Sequence, residues 1–259
     1  MQLSDQVAIV TGAGAGIGSA SALALAAAGA HVAAVDINAS SAKDIAAAVS
    51  KTGRKGLAIQ ADMGSVVEID RMVAETVAAF GRVDILVNNA GVTRRAYIMD
   101  LTEEDWDRIH RVNAKGVFFC LQRVAREMIP RRSGRIINIA SIAGRGYHGL
   151  SNAIYGASKG AVISLTKTAA QQLGQHNINV TAVCPGLTRT KLYRDMVGVI
   201  AGKEGVSVET IEQRNVQDVP LKRANEPEDI ADMVVFLASP GSRNITGQCF
   251  NVDGGLVLD

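Results

Sequence analysis

The stretch that decides the fold is VAIVTGAGAGIG, residues 7–18, in which an apolar run leads directly into four glycines. The dinucleotide fingerprint G-x-G-x-x-G does not fit, because its third glycine falls on Ile17 in one register and on Ser19 in the other. The spacing that is present is T-G-x-x-x-G-x-G, with glycines at Gly12, Gly16 and Gly18. A strand, a glycine-rich turn and a helix form the phosphate-binding end of an open α/β sheet. The stretch therefore predicts a nucleotide-binding turn of variant spacing.

Outward from this turn, short β-branched runs alternate with longer helical patterns along the chain. The runs are VAIV, HVAAVD, GLAIQ, VDILVN, RIINIA, INVTAV and QCFNVD. Strands that are apolar at nearly every position are buried on both faces, as in a parallel sheet. Strand–helix alternation is typical of a doubly wound sheet. We predict an α/β fold with a seven-stranded, doubly wound parallel sheet of Rossmann-like type and helices on both faces.

No composition shift, linker or repeat divides the 259 residues, so we predict a single domain, 1–259. The exception to the alternation is the segment 187–226, which has three glycines, mixed charge and no strand pattern of its own. Long connections on a rigid scaffold often carry specificity. We predict an insertion near 187–226 that covers the substrate site as a lid, with a disordered surface excursion as the alternative.

The bulk composition excludes several classes of function. A formal net charge of +2 gives no strong field that would recruit nucleic acid or an anionic membrane. The three cysteines form no C-x-x-C pair and the four histidines show no ligand spacing, so no metal site is expected. The N-terminus lacks a signal-peptide pattern, and no apolar window is long enough to span a bilayer. We expect a soluble, cytoplasmic protein with a small-molecule substrate.

The second apolar run ends in Asp36, about 20 residues beyond the glycine-rich turn. An acidic residue at this distance accepts hydrogen bonds from the adenosine ribose hydroxyls of a dinucleotide. A solvated strand end or a helix cap is the alternative. The carboxylate would repel a 2′-phosphate, and neither Ala15 nor Ile37 offers a cation to bind one. NAD(H) is therefore favoured over NADP(H).

Polar side chains with acid–base chemistry follow the later runs. Ser141 comes just after RIINIA, and YGASK supplies Tyr155 and Lys159, which lie four residues apart and so share one helix face. An adjacent ammonium favours the phenolate and lowers a tyrosine pKa from its ordinary value of about 10. A phenolate takes the proton of an alcohol while hydride leaves, and the phenol returns it in the reverse direction. We predict an acid–base pair in which buried Lys159, together with a positive nicotinamide ring, lowers the pKa of Tyr155.

In order along the chain, TGAGAGIG, NNAG, YGASK, CPG and ITGQCFNVDGG resemble the motifs of the short-chain dehydrogenase/reductase family. The resemblance covers nearly the whole chain and implies that Tyr155 is the general acid/base and that Lys159 binds the nicotinamide ribose. It implies that Ser141 holds the substrate oxygen and that Asn113 supports a proton-relay water. The implied cofactor-binding residues are Gly12, Ala15, Gly16, Ile17, Gly18, Asp36, Ile37, Asp62, Met63, Asn89, Ala90, Gly91, Tyr155, Lys159, Pro185, Gly186, Thr188 and Thr190. A homotetramer packed through helices around 102–129 and 152–173 is also implied.

Three segments, 91–97, 144–154 and 187–196, are expected to form the substrate pocket. The middle one, GRGYHGLSNAI, is polar for a pocket wall and favours a small hydroxylated or charged substrate. If Arg94 or Arg145 reaches the pocket, an anionic substrate becomes plausible. His148 either lines the pocket or has no role in it. The candidate substrate-binding residues are Arg94, Ala143, Arg145, His148, Asn152 and Leu192.

Three functions are weighed on these residues. The leading hypothesis is an oxidoreductase that transfers hydride between NAD(H) and a small polar secondary alcohol or ketone, such as a polyol, diol or hydroxy-carbonyl compound. The alternative is a 3-oxoacyl-carrier-protein reductase, since GVTR and RRSGRI resemble that subgroup, whereas Asp36, Gln171 and Gln172 oppose it. The remote alternative is a non-catalytic NAD-binding regulator, which would need only the cofactor half of the motifs.

Overall fold

The structure is a computed structural model that describes residues 2–147 and 151–258. Its sheet has seven parallel strands in the order β3-β2-β1-β4-β5-β6-β7. The strands are β1 (Val7–Thr11), β2 (His31–Asp36), β3 (Gly56–Gln60), β4 (Ile85–Asn88), β5 (Gly134–Ile139), β6 (Ile178–Pro185) and β7 (Cys249–Val252). The doubly wound fold expected from the sequence is confirmed.

Helices cover both faces of this sheet. They are α1 (Gly16–Ala27), α2 (Ala39–Lys51), α3 (Val66–Phe80), α4 (Glu103–His110), α5 (Val117–Met128), α6 (Ala153–Leu173), α7 (Lys191–Glu204), α8 (Val208–Asn215) and α9 (Pro227–Ala238). A π-helical turn, Arg111–Gly116, joins α4 to α5. Within the described residues, no helix combines the length and the hydropathy that a membrane span requires.

The core lies on both faces of the sheet because successive strand side chains point in opposite directions. Ile9 packs into a cluster that contains Met72 of α3 and Val124 of α5. The next residue, Val10, packs into a second cluster with Leu25 of α1. All five residues of β1 are buried, which explains why its sequence is a continuous apolar run rather than an alternating one.

The strand order reverses between β1 and β4, since the chain runs outward from β1 to β3 and then returns to the other side. Open α/β sheets bind ligands beside the carboxyl ends of the strands at such a reversal. The glycine-rich turn follows β1 and the NNAG motif begins at the end of β4, so both predicted cofactor motifs lie at this point.

The segment 187–226 is helical rather than an irregular excursion. Helices α7 and α8 pack together around a small cluster that includes Tyr193, Val197 and Ile211. The ends of the segment lie side by side, because Asn225 N–H donates to Leu187 O at 2.8 Å. The disordered alternative is therefore wrong, while closure of this helix pair as a lid stays a prediction.

Candidate active site

A cleft of about 520 Å³ opens at the reversal point of the sheet. Most of the predicted cofactor residues line it together, and these are Gly12, Ala15, Gly16, Ile17, Asp36, Ile37, Asp62, Met63, Asn89, Ala90, Gly91 and Thr190. The cleft is thus built from the ends of β1, β2, β3 and β4 and from the start of α7. Contact between these residues and a cofactor stays a prediction.

The glycine-rich turn has the backbone that a phosphate cradle needs. Gly12 and Gly16 have φ of +62° and +57°, in the left-handed region that favours glycine. A Cβ at Gly12 would lie 2.9 Å from the Cα of Ala90. No side chain caps the start of α1 at Ala15, so its first N–H groups are left for a ligand. The residues present therefore fit a dinucleotide phosphate.

Gly18 has a different role from the other glycines of the motif. It does not line the cleft, and a Cβ added to it would lie 2.1 Å from the carbonyl oxygen of Gly12. Only glycine lets α1 pack this closely behind the turn. Gly18 thus shapes the turn from behind, and the expectation of direct cofactor contact is not supported by its position.

Asp36 is fixed at the wall of the cleft by two backbone hydrogen bonds. Its Oδ2 accepts the N–H of Gly14 at 2.9 Å, and its Oδ1 accepts the N–H of Asn38 at 2.9 Å. The cations of the same cleft pair with other carboxylates: Arg111 with Asp62, Lys191 with Asp195 and Arg108 with Asp105. The carboxylate of Asp36 is therefore held in place without a counter-charge among the described ion pairs.

The cleft also contains residues that the sequence did not single out, and these are Ala61, Val92, Arg108, Arg111, Val112 and Lys191. Arg111 donates to Oδ2 of Asp62 at 2.7 Å, and Gly64 N–H donates to Oδ1 at 2.8 Å. Burial would raise the pKa of Asp62, but these two hydrogen bonds outweigh it and hold that pKa below its usual value. The π-helical turn that places Arg111 here has no signature in the sequence.

A second cavity of about 480 Å³ adjoins the first, and Ile17, Asn89, Gly91, Val92 and Thr190 line both. Its inner wall brings together residues from β5, α6 and β6. The predicted residues that line it are Ser141, Ala143, Tyr155, Lys159, Pro185, Gly186 and Thr188. The structure therefore places the acid–base residues directly beside the predicted nucleotide cleft.

Lys159 is a buried cation beside the phenol. Its side chain is one turn beyond Tyr155 on α6, with Nζ 5.7 Å from the centroid of the ring. Nζ donates to the carbonyl oxygen of Ile139 at 2.7 Å, and the residue is only 3% exposed. Burial lowers the pKa of Lys159 to about 8, with a Coulombic contribution from Cys184 opposing it. Lys159 is thus still mostly protonated near neutral pH.

In the protein without cofactor, Lys159 alone does not lower the pKa of Tyr155, and the lowering expected with a nicotinamide ring stays a prediction. Burial raises the pKa of Tyr155 to about 12, and a hydrogen bond with the Ser141 side chain only partly offsets this. Desolvation of the phenolate outweighs the ammonium, because Lys159 directs its hydrogen bond to Ile139 rather than to the phenol oxygen. The phenol of Tyr155 is therefore protonated near neutral pH, and an added positive charge nearby would favour its ionisation.

Asn113 is fully buried in the π-helical turn and does not line either cavity. Its amide donates to Val92 O at 2.9 Å and to Ser158 Oγ at 3.1 Å, and its Oδ1 accepts the N–H of Val92 at 2.8 Å. Both ends of the side chain are thus engaged in joining the end of the NNAG loop to α6. A relay water would have to hydrogen-bond to the backbone of Asn113 rather than to its side chain. The proton-relay role of Asn113 stays a prediction.

The two arginines proposed for the substrate pocket lie elsewhere. Arg94 pairs with Asp105, a buried carboxylate at the start of α4 that lies beside it. Arg145 donates to the carbonyl oxygen of Cys249 in β7 at 2.6 Å. Neither lines the cavity, so the condition for an anionic substrate is not met. No local sequence pattern predicts either of these two partners.

Asn152 caps the helix that carries the phenol instead of lining the pocket. Its Oδ1 accepts the N–H of Tyr155 at 2.8 Å, and its amide donates to Arg94 O and to Thr93 Oγ1. Asparagine directly before a helical run is a signal for an N-cap that could have been read from the sequence. The prediction for His148 lies outside the described residues, and the side chain of Leu192, in α7, lies outside them as well.

Another wall of the second cavity comes from the segment 187–226, whose helices were not predicted from the sequence. Helices α7 and α8 and the turn after them contribute Tyr193, Met196, Arg214, Asn215 and Asp218. These side chains come from two helices, α7 and α8, that a short turn joins. Their contact depends on how α7 packs against α8, which no periodic pattern in this segment predicts.

Together, the cleft and the cavity define an oxidoreductase of the doubly wound α/β class that works with a nicotinamide nucleotide. The chain belongs to the short-chain dehydrogenase/reductase family. A family model described as "Enoyl-(Acyl carrier protein) reductase" matches residues 12–257. A short-chain dehydrogenase/reductase of Armillaria gallica is 40% identical over 257 residues, which cover 98% of this chain and 97% of that protein.

Other similar proteins are named for different activities. The 3-oxoacyl-[acyl-carrier-protein] reductase of Synechocystis is 42% identical over 99% of this chain and 98% of its own. A crystal structure of NAD⁺-bound xylitol dehydrogenase has a TM-score of 0.91 and 34% identity, covering 98% of this chain and 100% of that one. Levodione reductase also has a TM-score of 0.91, with 30% identity and 98% of each chain covered.

Proposed function

We propose that the protein is an NAD-dependent oxidoreductase that interconverts a small, polar, uncharged secondary alcohol and its ketone. The observation that carries the proposal is the position of Asp36, whose two carboxylate oxygens are fixed by backbone N–H groups at the wall of the nucleotide cleft. A carboxylate in this place accepts ribose hydroxyl hydrogens and repels a 2′-phosphate. Because Arg108, Arg111 and Lys191 pair with other acids, no described cation offsets that repulsion.

The chain's own residues perform the proton transfer. In ketone reduction, the protonated phenol of Tyr155 donates to the carbonyl oxygen, which Ser141 holds by its hydroxyl. In alcohol oxidation, the same oxygen of Tyr155 accepts the proton, and buried Lys159 stabilises the phenolate that must form first. A nicotinamide bound in the cleft supplies or accepts the hydride and, when oxidised, brings a positive charge to the site.

The proposed substrate carries no negative charge. Arg94 and Arg145 are both engaged outside the cavity, and Asp218 contributes a carboxylate to its lining. Ile142, Leu187 and Met196 make much of the remaining wall apolar. A compact polyol, diol or hydroxy-ketone suits such a pocket better than a hydroxy acid.

The second candidate is a 3-oxoacyl-carrier-protein reductase. It is favoured by the Synechocystis relative, whose name is 3-oxoacyl-[acyl-carrier-protein] reductase. The position of Asp36 opposes this candidate if the reaction uses NADPH. A non-catalytic NAD-binding regulator is a more distant possibility, since it would not need Ser141, Tyr155 and Lys159 in one cavity.

The test is an initial-rate screen at alkaline pH with NAD and NADP, against polyols, vicinal diols, hydroxy acids and simple secondary alcohols. Acetoacetyl thioesters are assayed in reverse with NADH and NADPH. NAD-linked oxidation of an uncharged polar alcohol supports the proposal, and activity confined to NADPH and thioester contradicts it. A Tyr155→Phe variant is the control, because an enzyme loses turnover while NAD binding persists, whereas a regulator shows no turnover in either form.

We also propose that the protein assembles as a homotetramer through the helices around 102–129 and 152–173. Trp106 on α4 is 49% exposed and Phe118 on α5 is 40% exposed, which leaves large apolar side chains uncovered on this face. Sedimentation velocity tests the proposal, which expects four times the 27.2 kDa of one chain. A single-chain mass would contradict it.

A further inference from the structure

The second cavity has a polar end that the acid–base chemistry does not use. Its lining includes the apolar residues Ile142, Leu187, Met196 and Leu256. Besides Ser141, Tyr155 and Lys159, several polar residues line the cavity, and the α7–α8 wall contributes Tyr193, Arg214, Asn215 and Asp218. Sites of this kind usually fix a ligand's orientation through a few polar groups placed in an apolar lining. A polar group in the α7–α8 wall is therefore a candidate for reading a second functional group of the substrate.

Tyr193 and Asn215 form a hydrogen-bonded pair in that wall. The amide nitrogen of Asn215 donates to the hydroxyl oxygen of Tyr193 at 3.2 Å, and Tyr193 is only 5% exposed. Because the hydroxyl oxygen acts as an acceptor here, its own hydrogen is available to another group. Among the described residues, no donor is found for Oδ1 of Asn215. The pair thus presents the hydroxyl hydrogen of Tyr193 as a donor and Oδ1 of Asn215 as an acceptor. An alcohol group can accept from the first and donate to the second.

The donor of this pair is permanent at physiological pH. Burial raises the pKa of the Tyr193 phenol above its usual value, with the hydrogen bond from Asn215 opposing the shift. The charged groups that face it are Arg189 and Glu212, which pair with each other at 3.3 Å. The hydroxyl therefore stays protonated and neutral, as a hydrogen-bond donor to a neutral substrate must be.

The backbone around the pair is held in place before any ligand arrives. Tyr193 N–H donates to the Oγ1 of Thr190, the residue that caps α7 and lines both cavities. Arg189 pairs with Glu212 of α8 and, at 3.0 Å, with Glu226. These contacts fix α7 against α8, so little conformational entropy is lost when a ligand hydroxyl binds between them.

The charges around the polar end select against anions. Arg214 is engaged with Glu204, whereas Asp218 is exposed and belongs to no ion pair among the described residues. A carboxylate at the cavity lining disfavours a substrate that carries a carboxylate or phosphate of its own. The group that Tyr193 and Asn215 receive is therefore an uncharged one.

We propose that Tyr193 and Asn215 together bind a second hydroxyl group of the substrate, so that the enzyme prefers a diol or polyol to a simple secondary alcohol. The inference rests on the proposed NAD-linked oxidation of an uncharged polar alcohol, and it names the residues that read the additional hydroxyl. Its physical basis is the matched donor and acceptor that Tyr193 and Asn215 present in the lining of the cavity that also holds Tyr155.

The first experiment compares a vicinal diol with the mono-alcohol of the same carbon skeleton in the intact enzyme with saturating NAD. The measured quantity is the ratio of the two kcat/KM values in the wild type, in Tyr193→Phe and in Asn215→Ala. A net hydrogen bond is worth about fivefold to tenfold, so the ratio should fall by about that factor in each variant. Tyr97→Phe is the matched control, because Tyr97 is 70% exposed and does not line the cavity. Equal losses for both alcohols, or no loss, would overturn the inference.

The second experiment separates this inference from the proposed function. Diol binding to Tyr155→Phe in the presence of NADH is measured by calorimetry, with and without the additional Tyr193→Phe change. Binding that weakens with Tyr193→Phe supports the inference even if no NAD-linked turnover exists. If the enzyme turns over alcohols but the ratio of kcat/KM for diol to mono-alcohol is unchanged in Tyr193→Phe, the proposed function stands and the inference is overturned. Absence of diol binding overturns the inference outright.

Discussion

The backbone N–H of Tyr155 donates to Oδ1 of Asn152 at 2.8 Å, so the residue that caps α6 also fixes the start of the turn that carries the phenol. The amide of the same side chain donates to the backbone of Arg94 and to Thr93, on the loop that follows β4. Asn152 thus ties α6, which carries Tyr155, to a segment that borders both cavities. We expect it to position Tyr155, because Asn152 itself lines neither cavity.

Replacing Asn152 with Ala should destabilise the protein and slow turnover. Loss of an N-cap costs about 1 kcal/mol, and loss of the two donated hydrogen bonds adds to that figure. Urea unfolding measures the free energy, and steady-state kinetics measures kcat and KM separately. We expect kcat to fall severalfold with little change in the KM for NAD, because the cleft that holds the nucleotide is untouched.

Two further variants distinguish positioning from general loss of stability. Asn152→Asp keeps an oxygen that accepts from Tyr155 and loses the donors to the loop, so it should recover most of the stability and only part of kcat. Ser239→Ala removes the cap of a turn outside both cavities, where Ser239 Oγ accepts the N–H of Gly241 at 3.2 Å. If Ser239→Ala lowers kcat as much as Asn152→Ala does, the positioning role is excluded.

Replacing Asp36 with Asn should shift the cofactor preference toward NADP. The change removes the negative charge that opposes a 2′-phosphate, and we expect the ratio of kcat/KM for NAD over NADP to fall by about tenfold or more. Affinity for both cofactors should drop slightly, because one NH₂ group now faces a backbone donor at Gly14 or Asn38. The ratio is therefore the informative quantity.

The control for that experiment is Asp44→Asn, which makes the same charge change at an exposed position of α2 that does not line the cleft. It should leave the cofactor ratio unchanged. An unaltered ratio in Asp36→Asn would show that the preference is set elsewhere, and a wild type that already prefers NADP would contradict the role given to Asp36.

The Tyr155 phenol should titrate at about pH 12 in the protein without cofactor, because burial raises its pKa. The measurement is the ultraviolet absorbance of phenolate, taken as the difference between the wild type and Tyr155→Phe. Bound NAD⁺ adds a positive charge and should move this titration downward. Alcohol oxidation needs the phenolate, so its rate with saturating NAD should rise with pH, whereas ketone reduction should fall. A titration below pH 10 in the free protein would contradict the structure's account.

The sequence predicted the strands and the glycine-rich turn after β1 because both depend on local patterns. The apolar run of β1 is buried on both faces, and Gly12 and Gly16 adopt the positive φ that the turn requires. Tyr155 and Lys159 are four apart on one helix, so their proximity follows from helical geometry alone. These features need no knowledge of distant contacts.

What the sequence could not supply was the partner of each polar side chain. Arg145 binds the carbonyl of Cys249, which is 104 residues away, and Arg94 binds Asp105 on α4. The sign of the Tyr155 pKa shift depended on burial, which several distant elements create together. The segment 187–226 showed mixed charge without a clear period, so its two helices, and the meeting of Tyr193 with Asn215, were not predicted.

Replacing Lys159 with Met should change how stability depends on pH. The buried ammonium has a pKa of about 8 in the folded state against 10.5 in the unfolded chain, a depression worth about 3 kcal/mol. Below pH 8 Lys159 is protonated in both states, and the folded state bears the full free-energy cost of burying the ammonium. Between about pH 8 and pH 10.5 the unfolded chain binds more protons, so wild-type stability rises relative to the variant.

Urea unfolding of both proteins from about pH 7 to about pH 10 should therefore show the difference in their free energies of unfolding moving by up to about 3 kcal/mol toward the wild type. The unpaired carbonyl of Ile139 adds only a constant offset. Lys167→Met, exposed on the same helix, should give a flat difference, and a flat difference for Lys159→Met would show that its charge is not desolvated.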